Sequence, residues 1–85
     1  MRDASQQEPA QAENMKLRSS LLLALKEEIT AERLTQRQAA DKFGVTQPRI
    51  SLLMRGRIEF FAIDTLVKML ASAGLRVELN INKIC

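Results

Sequence analysis

The side chains most suited to chemistry in this sequence are cations concentrated in one short window. Residues 33–57 contain six basic residues and a single acidic one, so the window carries a net charge of +5, whereas the whole chain carries +3. Positive charge confined in this way is typical of a surface that binds a polyanion, although a merely solvated face can look the same. The basic residues are Arg33, Arg37, Lys42, Arg49, Arg55 and Arg57.

Other kinds of chemistry have few candidates. The chain has no histidine, its one cysteine is Cys85, and it contains no glycine-rich phosphate loop. We therefore expect no enzyme, no metal site and no cofactor, because clustered ligands and nucleophile–base pairs are missing. The sequence contains no stretch of about eighteen apolar residues, so it predicts no membrane span. The polar, acidic residues 1–14 do not resemble a signal peptide. We expect a cytoplasmic, nucleoid-associated protein.

The apolar periodicity predicts a largely helical domain over residues 9–85, preceded by a disordered polar tail over residues 1–8. The first helix can begin at Pro9, because proline is tolerated in a first turn. From residue 16 an apolar stripe recurs at spacings of three and four residues, and Leu22 and Leu23 widen it. The stripe comprises Leu17, Leu21, Ala24, Leu25 and Ile29.

Two short helices joined by a tight turn are predicted inside the basic window. Thr35 and Gln38 form a capping box that starts the first, and Gly44 ends it in the left-handed conformation that glycine favours. Thr46 caps the second helix, which ends near Arg55. Residues 36–55 thus have a helix-turn-helix layout, although a plain hairpin in a helical bundle is the competing interpretation. Small or apolar residues stand where the helices must pack, namely Ala40, Val45, Ile50 and Leu53.

The C-terminal part of the sequence predicts a fourth helix and one strand. The helix runs from about residue 63 to 73, after a loop that Phe60 and Phe61 anchor to the core. The alternating residues 76–82 predict a half-buried strand. A single strand cannot satisfy its backbone hydrogen bonds in an otherwise helical monomer. We therefore expect it to pair with its copy in a homodimer, or alternatively with a strand of a different protein. The expected interface residues are Val77, Leu79 and Ile81.

The strings LTQRQAADKFGVTQPRISLLMRGR and IDTLVKMLASAGLRVELNI resemble the repressor and Cro type of helix-turn-helix protein, the XRE family. Within it they are similar to the compact, HigA-like antitoxin regulators found beside toxins of the RelE/HigB kind. The resemblance covers about residues 17–82. It implies a mainly all-α, four- to five-helix repressor-like domain with one C-terminal β-strand that pairs across a dimer. A RelE/HigB-like toxin becomes a candidate second partner.

The resemblance also implies roles for individual residues. Gln47 matches the family's adenine-contacting glutamine, and Arg49 is expected to contact a guanine. Gln36 is expected to meet a phosphate at its helix N-terminus. Pro48 and Ser51 depart from the glutamine-rich faces of the best-known phage repressors, so the operator sequence cannot be inferred from those proteins. The full set of expected DNA contacts is Gln36, Arg37, Lys42, Thr46, Gln47, Pro48, Arg49, Ser51, Arg55 and Arg57.

The expected mechanism is repression by occupancy of double-stranded DNA. A two-fold symmetric dimer would place its recognition helices in successive major grooves, about 34 Å apart, on a pseudo-palindromic operator at its own promoter. The alternative is a protein interaction module that neutralises a partner through a helix face and the C-terminal strand, with little specific DNA binding. The localised positive charge favours DNA.

Overall fold

The structure, a computed structural model, describes the backbone of residues 4–83 and the side chains of residues 10–83. Four α-helices and one 3₁₀ turn follow one another in the chain, and no sheet forms within the described residues. This confirms the predicted, mainly helical repressor-like class. None of the described helices combines the length and the hydropathy that a membrane span requires. The elements are α1 (Ala4–Ala31), α2 (Gln36–Phe43), α3 (Gln47–Met54), the 3₁₀ turn Ile58–Phe60 and α4 (Ile63–Ser72).

Helix α1 is longer than the sequence predicts. It begins at Ala4, inside the segment predicted as a polar tail, while residues 1–3 lie outside the described part of the chain. The early residues lack apolar periodicity, but alanine, glutamine and glutamate all have high helix propensity, which accounts for the difference. Further along α1, Leu22 is buried as its place beside the stripe predicts, whereas Leu23 is 53% exposed.

One hydrophobic core holds the helices together. Helix α1 packs against α4 and the 3₁₀ turn, while α2 packs against α3 and α4. Phe61 is buried in this core as predicted, but the prediction of a core anchor is wrong for Phe60, which is 49% exposed. The two side chains separate because the 3₁₀ turn ends at Phe60 and the backbone becomes extended at Phe61. The largest fully buried side chains are Phe43, Phe61, Leu25, Ile50, Leu53, Leu66 and Met69.

The predicted caps of α2 are confirmed. The backbone N–H of Gln38 donates to the Thr35 hydroxyl over 3.0 Å, and the Thr35 N–H donates to the Gln38 amide oxygen over 2.9 Å. At the other end Gly44 adopts φ 72°, ψ 34°, and the N–H of Val45 donates to the carbonyl of Ala40 over 3.0 Å. These local hydrogen bonds satisfy backbone groups that a helix end otherwise leaves unpaired.

Helix α1 ends with the same motif but without glycine. The N–H of Leu34 donates to the carbonyl of Ile29 over 3.0 Å, and Arg33 occupies the left-handed position at φ 55°. Arg33 is the one non-glycine residue with positive φ among those described. A side chain with a β-carbon is strained in this conformation, so Arg33 is a local weak point of the fold.

In the C-terminal segment, residues 75–83 as described by the structure have no regular secondary structure. Its exposure nevertheless alternates, since Leu75 and Val77 are half-buried while Arg76 and Glu78 are exposed. The side chains of Arg76 and Glu78 lie on one side, 4.0 Å apart. This period of two is the pattern of an extended backbone. Pairing of the segment as a strand stays a prediction.

Replacing Arg33 by glycine should stabilise the protein. The change removes the strain of the left-handed conformation, so we expect the free energy of unfolding to rise by about 1 kcal/mol. The melting temperature should rise by about 4–8 °C for a domain of this size. Thermal and urea unfolding followed by circular dichroism measure both. Arg33→Ala is the matched control, because it removes the charge but keeps the β-carbon; a gain equal to that of glycine would point to charge instead.

Candidate nucleic-acid interface

The candidate interface is built on the crossing of α2 and α3. Ala39 and Ala40 of α2 are buried, as are Ile50 and Leu53 of α3. The burial of Ala40 agrees with the expectation of a small residue where the helices pack. The turn between the helices is three residues long, and its Val45 is half-buried against the core. The packing therefore fixes the direction in which the N-terminus of α3 points.

The N-terminus of α3 is exposed and capped. The hydroxyl of Thr46 accepts the backbone N–H of Arg49 over 3.4 Å, which confirms Thr46 as a cap. Gln47 and Pro48, the first two residues of the helix, are exposed, whereas Ser51 one turn later is half-buried. A helix N-terminus carries partial positive charge and free N–H groups, so this end suits a phosphate-rich ligand.

Gln36 and Arg37 begin α2 and are both exposed. They stand at a second capped helix N-terminus, after Thr35. Arg55, the C-terminal cap residue that follows α3, is exposed as well. The structure thus leaves these three predicted contacts available to a ligand. Their contact with DNA stays a prediction.

Arg49 is engaged within the protein itself. Its guanidinium donates to the carbonyl oxygen of Phe60 over 2.8 Å and lies 5.4 Å from the centre of the Phe61 ring. The side chain is half-buried as a result. Arg49 therefore links the recognition helix to the segment that follows it, and it would have to leave these partners to contact a base.

Arg18 of α1 is a contributor that the sequence analysis missed. Its guanidinium donates to the carbonyl oxygens of Ile58 and Phe61 over 3.3 Å and 3.5 Å. Arg18 and Arg49 therefore hold the 58–61 segment from two different helices. The available signal was an arginine placed three and four residues before Leu21 and Leu22, on the buried face of α1, where a cation needs a partner.

Arg57 stands beside this segment with two partners of its own. Its guanidinium pairs with the Glu59 carboxylate over 3.0 Å and lies 5.4 Å from the Phe60 ring centre. Two hydrogen bonds lower the pKa of Glu59. The larger effect comes from the backbone N–H of Glu59 itself, and the smaller comes from Arg57. The exposed Phe60 thus packs against a cation. Both ion-pair partners are exposed, so water screens the pair and a phosphate can compete for Arg57.

Lys42, which the sequence predicts as a DNA contact, has ion-pair partners within the protein. Its amine forms ion pairs with Glu28 of α1, over 3.4 Å, and with Glu32 in the turn that follows α1. The hydrogen bond to Glu32 raises the pKa of Lys42, against the opposing effect of desolvation. Because two carboxylates already balance its charge, Lys42 is a weaker candidate for a phosphate contact than Arg37 or Arg55. Its position instead ties α2 to α1.

Comparison with known proteins assigns the family. A family model described as "Helix-turn-helix domain" matches residues 4–82 of this chain. A solved structure described as "Putative XRE Family Transcriptional Regulator" is 32% identical in sequence and superposes with a TM-score of 0.78. The alignment covers 87% of this chain and 83% of that one. No curated protein matches the sequence.

The capped α2–α3 pair and the family match define a helix-turn-helix DNA-binding domain. The chain belongs to this family, and within it to the XRE type of transcriptional regulator, which confirms the broad resemblance. The narrower resemblance to HigA-like antitoxin regulators stays a prediction. Within the described residues, no group of three or more potential ligands from His, Cys, Asp and Glu could hold a metal ion.

Replacing Arg49 by alanine should destabilise the fold as well as affect DNA binding. The lost hydrogen bond contributes about 1 kcal/mol and the cation–π contact about 0.5–1 kcal/mol, so we expect unfolding to become easier by about 1–2 kcal/mol. Urea unfolding measures this, with Gln47→Ala, on an exposed site, as the control without effect. A stable Arg49→Ala protein that loses only operator affinity would show that Arg49 contacts a base and not Phe60.

The ion pairs of Lys42 predict that it contributes little to the salt dependence of DNA binding. Each phosphate contact contributes about 0.9 to the slope of log affinity against log salt concentration. Arg55→Gln should reduce this slope by about 0.9, whereas Lys42→Gln should leave it nearly unchanged. Fluorescence anisotropy over a salt series measures both variants, and Lys68→Gln on α4 controls for the loss of one charge. Equal reductions at Lys42 and Arg55 would contradict the structural role of Lys42.

Proposed function

We propose that this protein is a dimeric, sequence-specific autorepressor that inserts the N-terminus of α3 into the major groove of its operator. The observation that carries the proposal is the exposed pair Gln47 and Pro48 at the capped start of α3. The exposed cations Arg37 and Arg55 stand at the start of α2 and at the end of α3. In this role the protein acts on the nucleoid in the cytoplasm.

The side chains divide into base contacts and phosphate contacts. Gln47 can bond adenine in a bidentate manner through its amide, and Pro48 offers only apolar contact, such as to a thymine methyl group. Arg49 is the second candidate for a base contact, once released from Phe60. Phosphate contacts hold the protein in register without reading sequence. The proposed phosphate-binding residues are Gln36, Arg37, Thr46, Arg55 and Arg57, with Ser51 at the edge of the face.

The dimer gives the operator its form. Two copies related by a two-fold axis place two α3 helices about 34 Å apart on one side of the duplex, so the preferred site is a pseudo-palindrome. Occupancy of such a site in a promoter excludes the polymerase, which makes repression the expected output. Leu79 and Ile81, exposed in the single chain by 62% and 89%, support association of two copies.

Neutralisation of a RelE/HigB-like toxin is a second candidate function. It is favoured by apolar side chains exposed on α1, where Met15 is 45% and Leu23 is 53% exposed. Leu23 lies beside Lys26 and Glu27, so the patch is apolar with a charged rim, as protein interfaces commonly are. In such an antitoxin α3 would contact the DNA and α1 would contact the toxin, so the two roles are compatible.

Specific binding to its own upstream DNA tests the proposed function. Fluorescence anisotropy should show binding to this DNA at least about 10³-fold tighter than to a scrambled duplex, with a steep salt dependence. Gln47→Ala should cost about 1–3 kcal/mol on the operator and little on scrambled DNA. Because Gln47 is exposed, its substitution should leave the melting temperature unchanged.

The matched control is Lys68→Gln, an exposed residue of α4 outside the α2–α3 face. It should bind the operator as the wild type does. Weak and equal binding of the wild type to both duplexes would contradict the autorepressor. It would favour the alternative, an interaction module that neutralises a partner through a helix face and the C-terminal strand.

A further inference from the structure

The apolar face of the C-terminal segment becomes more exposed with distance from the core. Val77 is half-buried and packs against the hydrophobic core, Leu79 is 62% exposed and Ile81 is 89% exposed. These three residues alternate with polar ones, so in an extended backbone they share one face. The start of the segment therefore packs against the core, and its later apolar side chains are exposed to solvent.

We propose that a second copy of this chain pairs antiparallel with residues 76–82, with Leu79 on the two-fold axis. This register deepens the dimer on which the proposed function rests. It sets Ile81, the most exposed residue, opposite Val77 of the second copy, which lies next to that copy's core. Because the two segments run antiparallel, the exposed end of each lies beside the half-buried start of the other. Each copy therefore covers the apolar side chains that the other copy exposes.

The side chains favour this register over its neighbours. With the axis at Leu79, Arg76 faces Asn82 and Glu78 faces Asn80, so no like charges meet. An axis at Glu78 would set two glutamates directly opposite each other. An axis at Asn80 would set the half-buried Val77 opposite Lys83. A shift of the pairing by one residue sets every apolar side chain opposite a polar one, on the wrong face.

The space beside the segment fits an added strand. Leu79 and Ile81 line an open groove of about 550 Å³ together with Leu17 of α1 and Ile63 of α4, and polar residues of α1 such as Lys16 line it as well. A strand paired to residues 76–82 continues the same apolar face over this groove. The second copy thereby covers the exposed Leu79 and Ile81 and also an open strand edge, which otherwise invites unspecific association.

Cysteine cross-linking tests the register. In a Cys85→Ser background, Leu79→Cys should form a covalent dimer on mild oxidation, because cysteines on the axis face each other. Arg76→Cys and Asn82→Cys, both exposed, should each stay uncrosslinked alone, since the two copies of each residue are about 20 Å apart. An equimolar mixture of these two variants should cross-link. Cross-linking of Arg76→Cys or Asn82→Cys alone, or failure of Leu79→Cys, would overturn the register.

Sedimentation of unmodified protein provides the second measurement. Leu79→Asp buries a charge at the axis and should weaken the dimer by more than about tenfold, while Asn82→Asp, opposite Arg76 on the polar face, should leave it intact. Equal effects of the two variants, or a wild type that stays monomeric, would overturn the proposal. Neither experiment contains DNA, so its outcome is independent of whether the operator binding of the proposed function holds.

Discussion

The packing of α3 on α2 is the interaction on which the rest of the structure depends. Ile50 and Leu53 of α3 are fully buried, the small residues Ala39 and Ala40 of α2 are buried as well, and the two helices are in contact, so close packing restricts how α3 can move. Only a helix held in this way can present its N-terminus at a fixed position. The exposed Gln47 is useful for recognising a sequence because Ile50, three residues later on the same helix, cannot move.

The basic window, residues 33–57, contains cations that are held by partners within the protein and cations that remain exposed. Lys42 is held by one carboxylate of α1 and one in the turn after it, and Arg49 is held by the 58–61 segment. Arg37 and Arg55 remain exposed at the edges of the α2–α3 pair. A net charge of +5 therefore overstates the charge available to a polyanion, because desolvated or paired cations contribute less to binding than free ones.

The 58–61 segment connects the DNA-binding part of the molecule to its scaffold. Arg18 holds its carbonyls from α1, Arg49 holds one from α3, and Phe61 fills the core below. A short irregular segment has few hydrogen bonds of its own, so side-chain donors satisfy its carbonyls. Through this arrangement the position of Arg57, which precedes the segment, is coupled to both α1 and α3.

The sequence alone determined the helix boundaries around the turn and the class of the protein. The caps at Thr35, Gly44 and Thr46 depend on hydrogen bonds between residues close in sequence, so residue types and spacing are sufficient to predict them. Only the tertiary structure decided the distant partners of Arg18, Lys42 and Arg49, because those acceptors lie between 10 and 43 residues away along the chain. A sequence shows which side chains carry charge, whereas the packing of the helices decides which of those charges remain available to a ligand.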